Sequence, residues 1–358
     1  MVVTPTTGGS FVSEASLNGL ANGTAMGLAP KARLVAYKVY WSEAASDMDV
    51  LAAFKAAIDD NVDIINLSMG SVEPGFLDSF AVGSFQAMEN GILTIASAGN
   101  TRPTLRIVSN VYPWVLTVAA STIDREFFSN LLLGNNISIK TSQYFDLQVL
   151  DSKTFYPLII GMEARVSGAN INDVIRKAGG IGLIFVKDEK VGSEIFQNVP
   201  SAVSAALISY NDVQTLFSYI NSTTTPIVSF GEAITSLGIK SAPIMADFSS
   251  RGPHPLFFSS GVSKPDVTAP GVDILAATSN SLEKKENPFV LVDKTPLDKK
   301  GMPIRDNNGV SEATTLAYGS GHIRPNLAMD SGLVYNMNEY DYLNLLCAII
   351  ITTQYWKS

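Results

Sequence analysis

Cysteine is nearly missing from this chain: Cys347 stands alone in 358 residues, which excludes an internal disulfide and any thiolate-built metal cluster, and says little about compartment. Histidine is almost as scarce, with His254 and His322 only, and no metal signature or cofactor motif can be assembled from what is present. Basic runs never exceed two residues, and 33 acidic against 25 basic side chains leave a net charge of −8, so electrostatic binding to nucleic acid or to an anionic membrane is excluded. Apolar runs stay far shorter than a membrane span. The first residues, Met-Val-Val-Thr-Pro-Thr-Thr-Gly-Gly, carry neither a charged leader nor an apolar core, so no signal peptide is expected within these residues.

What is present is a chain long enough to bury a proper core, as one large domain or two ordinary ones. Its centre is Ile92–Asn100, Ile-Leu-Thr-Ile-Ala-Ser-Ala-Gly-Asn, an apolar run that stops at a small, polar corner. Such a run predicts a parallel strand covered on both sides by helices. Gly99 lets the backbone turn, and Asn100 projects from the carboxyl end of the strand, where open α/β sheets place ligand crevices. A side-chain amide there can donate to a developing oxyanion; the plainer reading is a capping Asn in an ordinary strand-to-helix turn.

Around this centre, residues 1–30 read as loop and Arg33–Trp41, dense in β-branched and aromatic residues, as the first strand. Asp49–Asp60 has the spacing of a helix face, Val62–Met69 reads as a buried strand, Phe76–Asn90 as a helix ended by Gly91, and Trp114–Ala120 as another strand. Strands alternating with helices predict βαβ units and a parallel sheet whose strand ends share one edge, carrying Ser68, Met69 and Gly70 beside Ala98, Gly99 and Asn100. From about Phe127 to Ser236 the texture changes to a small inserted α/β unit, with helices at Ile171–Ala178 and Asp212–Asn221 and strands at Gly179–Val186 and Ala205–Tyr210. Pro243–Ser249 resumes the first texture, and Lys264–Ala277 approaches one more strand. Ser281–Val310, with 11 charged residues in 30, is a solvated excursion, and a short helix follows around Tyr340–Ile349.

Several stretches in order resemble the plant-type subtilisin-like serine proteases: Asn22–Trp41, Ile64-Ile-Asn-Leu-Ser-Met-Gly70, Ser97-Ala-Gly-Asn100, Phe248-Ser-Ser-Arg-Gly-Pro253, Lys264-Pro-Asp-Val-Thr-Ala-Pro-Gly271, Tyr318–Asn326 and Gly332-Leu-Val-Tyr335. The resemblance implies an α/β fold with a subtilisin-like, predominantly parallel sheet, flanking helices and a small protease-associated insert. It divides the chain into 1–126, the first part of the catalytic domain and N-terminally incomplete; 127–236, a shortened insert; and 237–358, the second part without its nucleophile helix. It further implies a secreted, apoplastic endopeptidase acting on polypeptides, with no cofactor. Four Asn-x-Ser/Thr sequons, at Asn22, Asn66, Asn136 and Asn221, matter only in a secreted chain.

In this family a Ser attacks the peptide carbonyl, a His takes its proton and an Asp fixes the His tautomer. The Asp motif belongs upstream of residue 1, and the His motif belongs where this chain reads Val-Val-Thr-Pro-Thr-Thr-Gly-Gly-Ser. The Gly-Thr-Ser-Met motif belongs shortly after Ile274-Leu-Ala-Ala277, where the text instead runs through Thr278–Asp293 to Pro303-Ile-Arg-Asp306. The expectation is a chain without its triad, of the kind left by skipped or mispredicted exons. Asn100 transfers as the oxyanion donor, and Ser68, Met69, Gly70, Ala98 and Gly99 as substrate-binding positions.

Two look-alikes compete. Ser320, His322 and Asp330 imitate a triad, but they fall in the family's closing turns and are read as structural. Asn66-Leu-Ser-Met-Gly70 approaches the nucleophile elbow of α/β-hydrolases, with Ser68 as nucleophile and His254 or His322 as base, but it lacks the first glycine. His254 is expected in a surface loop. A non-catalytic peptide-binding role and a truncated product without stable structure stand as further alternatives.

Overall fold

The computed structural model describes residues 3–17, 19–41, 45–70, 78–101, 103–144, 150–158, 179–186, 204–254, 262–277, 289–292, 304–306, 311–323 and 337–355. In chain order these form α1 (Val3–Gly8), β1 (Val12–Leu17), β2 (Leu20–Ala25), α2 (Asp47–Asp59), β3 (Ile64–Leu67), α3 (Ser79–Glu89), β4 (Leu93–Ser97) and β5 (Val115–Ser121). There follow β6 (Arg125–Leu133), β7 (Ser138–Tyr144), β8 (Tyr156–Pro157), β9 (Gly182–Val186), β10 (Ser204–Ile208), α4 (Tyr210–Ser222), β11 (Ile227–Phe230) and β12 (Ile234–Leu237). The remainder is β13 (Val267–Pro270), β14 (Ile274–Ala277), β15 (Phe289–Val292), β16 (Arg305–Asp306), β17 (Ser311–Glu312), α5 (Thr315–Tyr318) and α6 (Glu339–Tyr355).

The helix-strand alternation produces a four-stranded parallel sheet in the order β13-β5-β4-β3. Its helices begin where short polar side chains can take the orphan amides of the first turn: Ser46 accepts from Asp49 N before α2, and Asp78 from Ala81 N before α3. Val50, Phe54 and Ala57 are the buried positions of α2, spaced to share a face. α3 meets this face so closely that a Cβ on Gly83 would collide with the Phe54 ring. Gly91 ends the turn after α3 at φ 74°, a conformation that costs glycine no Cβ clash. Trp114, whose Nε1 donates to Ser84 Oγ at 2.9 Å, closes the same core beside Tyr112.

A second sheet of seven strands, ordered β8-β11-β6-β7-β10-β9 with β12 also on β6, is antiparallel except for β9 and β10. Its core is aliphatic and aromatic, built on Leu131, Leu133, Ile139, Ile208, Leu216, Tyr219, Val228 and Phe230. α4 lies where a helix was expected at Asp212–Asn221; the helix expected at Ile171–Ala178 lies outside the described residues.

Three expectations need correction. Arg33–Trp41 is not a strand: 32–39 has no regular structure, Val35 and Trp41 are 60% and 69% exposed, and Tyr40 makes only an isolated bridge to Ala45. Strand propensity describes fit to a pleated, half-buried surface, and no described strand edge runs beside this segment. The loop expected over 1–30 contains α1 and the irregular β1–β2 hairpin, turned at Gly19 (φ 84°), because backbone pairing needs no apolar periodicity. Among the described residues the parallel sheet is also not covered on both faces at its entry: Ile64 and Leu93, register partners there, are 56% and 45% exposed. Within the charged stretch 281–310, Phe-Val-Leu-Val at β15 pairs with β14.

Candidate functional site

Because β3 and β4 are parallel neighbours in register Leu67↔Ala96, the residues after them leave the sheet side by side. Ser68, Met69 and Gly70 follow β3; Ala98, Gly99 and Asn100 follow β4. The structure therefore brings together the six positions singled out from sequence. Ser68, Gly70 and Asn100 are exposed, Met69 and Gly99 half-buried, and Ala98 buried.

Three residues to which the sequence reading gave no role hold these ends, Ser250 among them although it lies in the Phe248–Pro253 motif. Ser109 N donates to Ala98 O at 2.8 Å. Ser250 N donates to Gly99 O at 3.0 Å while its Oγ accepts from Thr101 N at 3.0 Å, so one serine brackets Asn100 on both sides. Asn110, almost fully buried, donates from Nδ2 to Met69 O at 2.9 Å and to Ser97 O at 2.8 Å. Gly99 (φ 99°) must be glycine on steric grounds as well, since a Cβ would lie 2.9 Å from Ser109 Oγ and 3.0 Å from Ser250 Oγ.

Behind the edges lies a polar scaffold. Arg251 O accepts from Ile107 N and Val108 N, and its buried guanidinium donates to Ala246 O, Ser249 O and, at 2.8 Å, Asp306. Lys264, also buried, donates to Val115 O and to Asp266 Oδ2, both at 2.6 Å; Asp266 in turn accepts from Thr117 N. Burial pushes the Lys264 ammonium down from its ordinary range and Asp266 opposes that shift. Burial, helped by the hydrogen bond to Asp78, pushes the Tyr112 phenol well up.

Of the look-alikes, the described residues make other contacts. Ser320 is exposed and its N donates to Asp266 O, while His322 sits against β13 with Nε2 3.2 Å from Ser121 Oγ. Ser121 is fully buried and His322 half-buried. Asp330 lies outside the described residues. Ser68 Oγ accepts from Asn66 Nδ2 at 3.3 Å; the Ser121–His322 pair ends β5, two strand spacings or ~10 Å from β3, out of a base's reach. His254 is not a surface residue: it is 6% exposed, and burial lowers its pKa. No helix among the described residues is long and apolar enough to cross a membrane.

Set beside known proteins, the chain matches the subtilase family model over residues 9–319. It is 33% identical to the subtilisin-like protease SBT5.4 of Arabidopsis thaliana, with 96% of this chain and 54% of that protein aligned. It is 34% identical to the subtilisin-like protease Glyma18g48580 of Glycine max, over 96% of this chain and 55% of that protein. Subtilisin-like protease SBT4.14 of Arabidopsis thaliana is 35% identical over 96% and 53%. The chain thus spans about half the length of the curated relatives it matches. With the parallel sheet, the Ser-Ala-Gly-Asn corner and these matches in hand, the chain belongs to the subtilase family of serine proteases.

Proposed function

We propose that this chain is the substrate-binding half of a subtilisin-like endopeptidase site, which holds extended peptide between two strand ends and does not itself cleave it. The observation that carries the reading is the pairing of Ser68–Gly70 with Ala98–Asn100 at adjacent parallel strand ends, with Asn100 exposed and bracketed by Ser250. Backbone groups at such an edge can add a peptide as a further strand, and the Asn100 amide is of the chemical type that stabilises an oxyanion.

The case against cleavage by this polypeptide is internal to it. A triad needs an imidazole, and of the two histidines one is buried beyond the Ser-Arg-Gly-Pro turn and the other is engaged with Ser121. The alignment with SBT5.4 runs over 424 positions, more than the 358 residues of this chain, so that relative carries residues inside the matched stretch that this chain lacks. A lost Gly-Thr-Ser-Met helix between Ala277 and Pro303 fits that difference. In a subtilisin, loss of nucleophile or base alone lowers turnover about 10⁶-fold, leaving ~10³–10⁴ over water from the oxyanion hole and binding. The second sheet is the protease-associated insert of this reading, and the family implies a polypeptide substrate and an extracellular site of action for the intact enzyme.

Isothermal titration with unlabelled extended peptides tests the binding half of the proposal. Saturable heat below millimolar peptide is expected. No heat at millimolar peptide, from protein with a cooperative thermal transition, removes it.

A further inference from the structure

The ladder between β3 and β4 ends at Leu67↔Ala96. Beyond it no strand pairing holds Ser68–Gly70 to Ala98–Asn100, and the twist of adjacent strands would let the two ends diverge. At this point the side chain of Asn110 replaces the ladder. Its single Nδ2 carries two N–H bonds, one aimed at Met69 O (2.9 Å) and the other at Ser97 O (2.8 Å), one carbonyl from each strand end.

We propose that Asn110 is the positioning residue of the peptide site: its amide fixes the spacing between the two edges that a peptide must span. This rests on the peptide-binding reading above. Four observations support it. Asn110 is 2% exposed, so water cannot substitute for its two bonds. Its Oδ1 is buried with no hydrogen-bond partner among the described residues, an arrangement ill-suited to a residue serving stability alone. Gly70 is pressed against the amide, where a Cβ would come 3.1 Å from Nδ2 and 3.2 Å from Ser109 Cβ. The backbone is held as well, by Thr117 Oγ1 donating to Asn110 O at 2.6 Å. No other side chain does the same work: ionised Asp has no proton to donate, Gln is a methylene too long, and Ser donates once.

A competing explanation is local. Asn110 has φ 54°, a region in which Asn is enriched, so the residue could be there for its backbone alone. Asn110→Gly separates the two, because it keeps the left-handed conformation and deletes the amide; Asn110→Asp keeps size and turn tolerance and removes the donors. Amide hydrogen exchange, with the same peptides titrated in parallel, reads the result. Positioning predicts exchange at least about tenfold faster in 67–70 and 97–101 for both variants, with β6 and β7 unchanged, and peptide affinity weaker by about tenfold or more. Unaltered exchange in those segments of Asn110→Gly overturns the proposal. If the wild-type chain binds no peptide, the functional reading fails and the exchange data still decide whether Asn110 clamps the strand ends. Should both variants lose protection in β6 and β7 as well, selective 15N labelling of asparagine in the wild type decides. A shift of the Asn110 Nδ2H2 resonance on adding peptide supports positioning, and an unmoved resonance under saturating peptide contradicts it.

Discussion

The two larger sheets of this molecule differ in the chemistry of their interiors. In the seven-stranded sheet the buried side chains are mainly Leu, Ile, Val, Phe and Ala, with Ser129 and Thr141 satisfying each other at 3.0 Å. The four-stranded parallel sheet has an apolar core as well, but it adds many buried polar side chains: Thr94, Asn110, Thr117, Ser121, Ser249, Ser250, Arg251, His254, Lys264 and Thr268 are all buried. Many of them bond to backbone far along the chain, as Lys264 does to Val115 O and Ser249 to Ala120 N. Apolar packing is non-directional and tolerates adjustment, whereas a buried donor on a named carbonyl fixes a position to tenths of an ångström and is costly to leave unmade. One sheet is held mainly by apolar packing; the other adds buried donors that tie its strand ends to distant parts of the chain.

The largest expected effect tests the ligand side directly. In a form of the chain with the family's Asp, His and Ser segments restored, Asn100→Ala should lower kcat by roughly 10²–10³ and leave KM nearly unchanged, because the charge it meets exists mainly in the transition state. Steady-state rates on a fluorogenic peptide measure this, and a change confined to KM would move Asn100 from oxyanion stabilisation to ground-state binding.

Next come two core substitutions that should part company. Leu131→Ala in the second sheet should cost about 2–5 kcal/mol by opening a cavity, yet leave the peptide affinity of the folded fraction unchanged. Lys264→Met should cost about 3 kcal/mol by stranding Val115 O and the partly exposed Asp266, and should also weaken peptide binding, because Asp266 holds Thr117 N and Thr117 Oγ1 donates to Asn110 O. Urea midpoints with parallel titrations separate the cases; equal affinity losses in both variants would erase the distinction between the sheets.

A smaller change sharpens the site itself. Gly99→Ala should cost about 1–3 kcal/mol, from a side chain at φ 99° and from contact with Ser109 and Ser250. The smallest effect is a pH dependence. Burial holds the folded pKa of His254 below its unfolded value of 6.5, so the unfolded state binds more protons as pH falls. The His254 contribution is complete above about pH 6.5 and is lost below it, by up to ~1.4 kcal/mol per pH unit. Denaturation midpoints between pH 7.5 and 5 should show this slope, and His254→Gln should flatten it.

Much of the parallel sheet was legible because apolar runs bounded by glycine and capping residues leave few alternatives, and the exposed position of Asn100 just past the end of β4 was legible from the same run. Arg33–Trp41 misled, since its composition reports propensity and cannot report whether a partner edge exists. Ser109 and Asn110 were invisible, and Ser250, although inside the Phe248–Pro253 motif, had no role assigned, for a different reason. They belong to no periodic segment, and what they do depends on carbonyls up to 151 positions away in the case of Ser250 and Gly99, a relation that only the folded chain creates.

On the proposed function, this polypeptide presents a subtilase peptide site without an activated nucleophile. A serine-directed fluorophosphonate probe tests it most directly, applied to the folded chain and to a heat-denatured control and followed by peptide mapping. The expected result is no labelling above the denatured control, alongside no turnover of a fluorogenic peptide. Labelling that requires the folded state and maps to one serine would contradict it, and labelling at Ser68 would point to a hydrolase built on the end of β3.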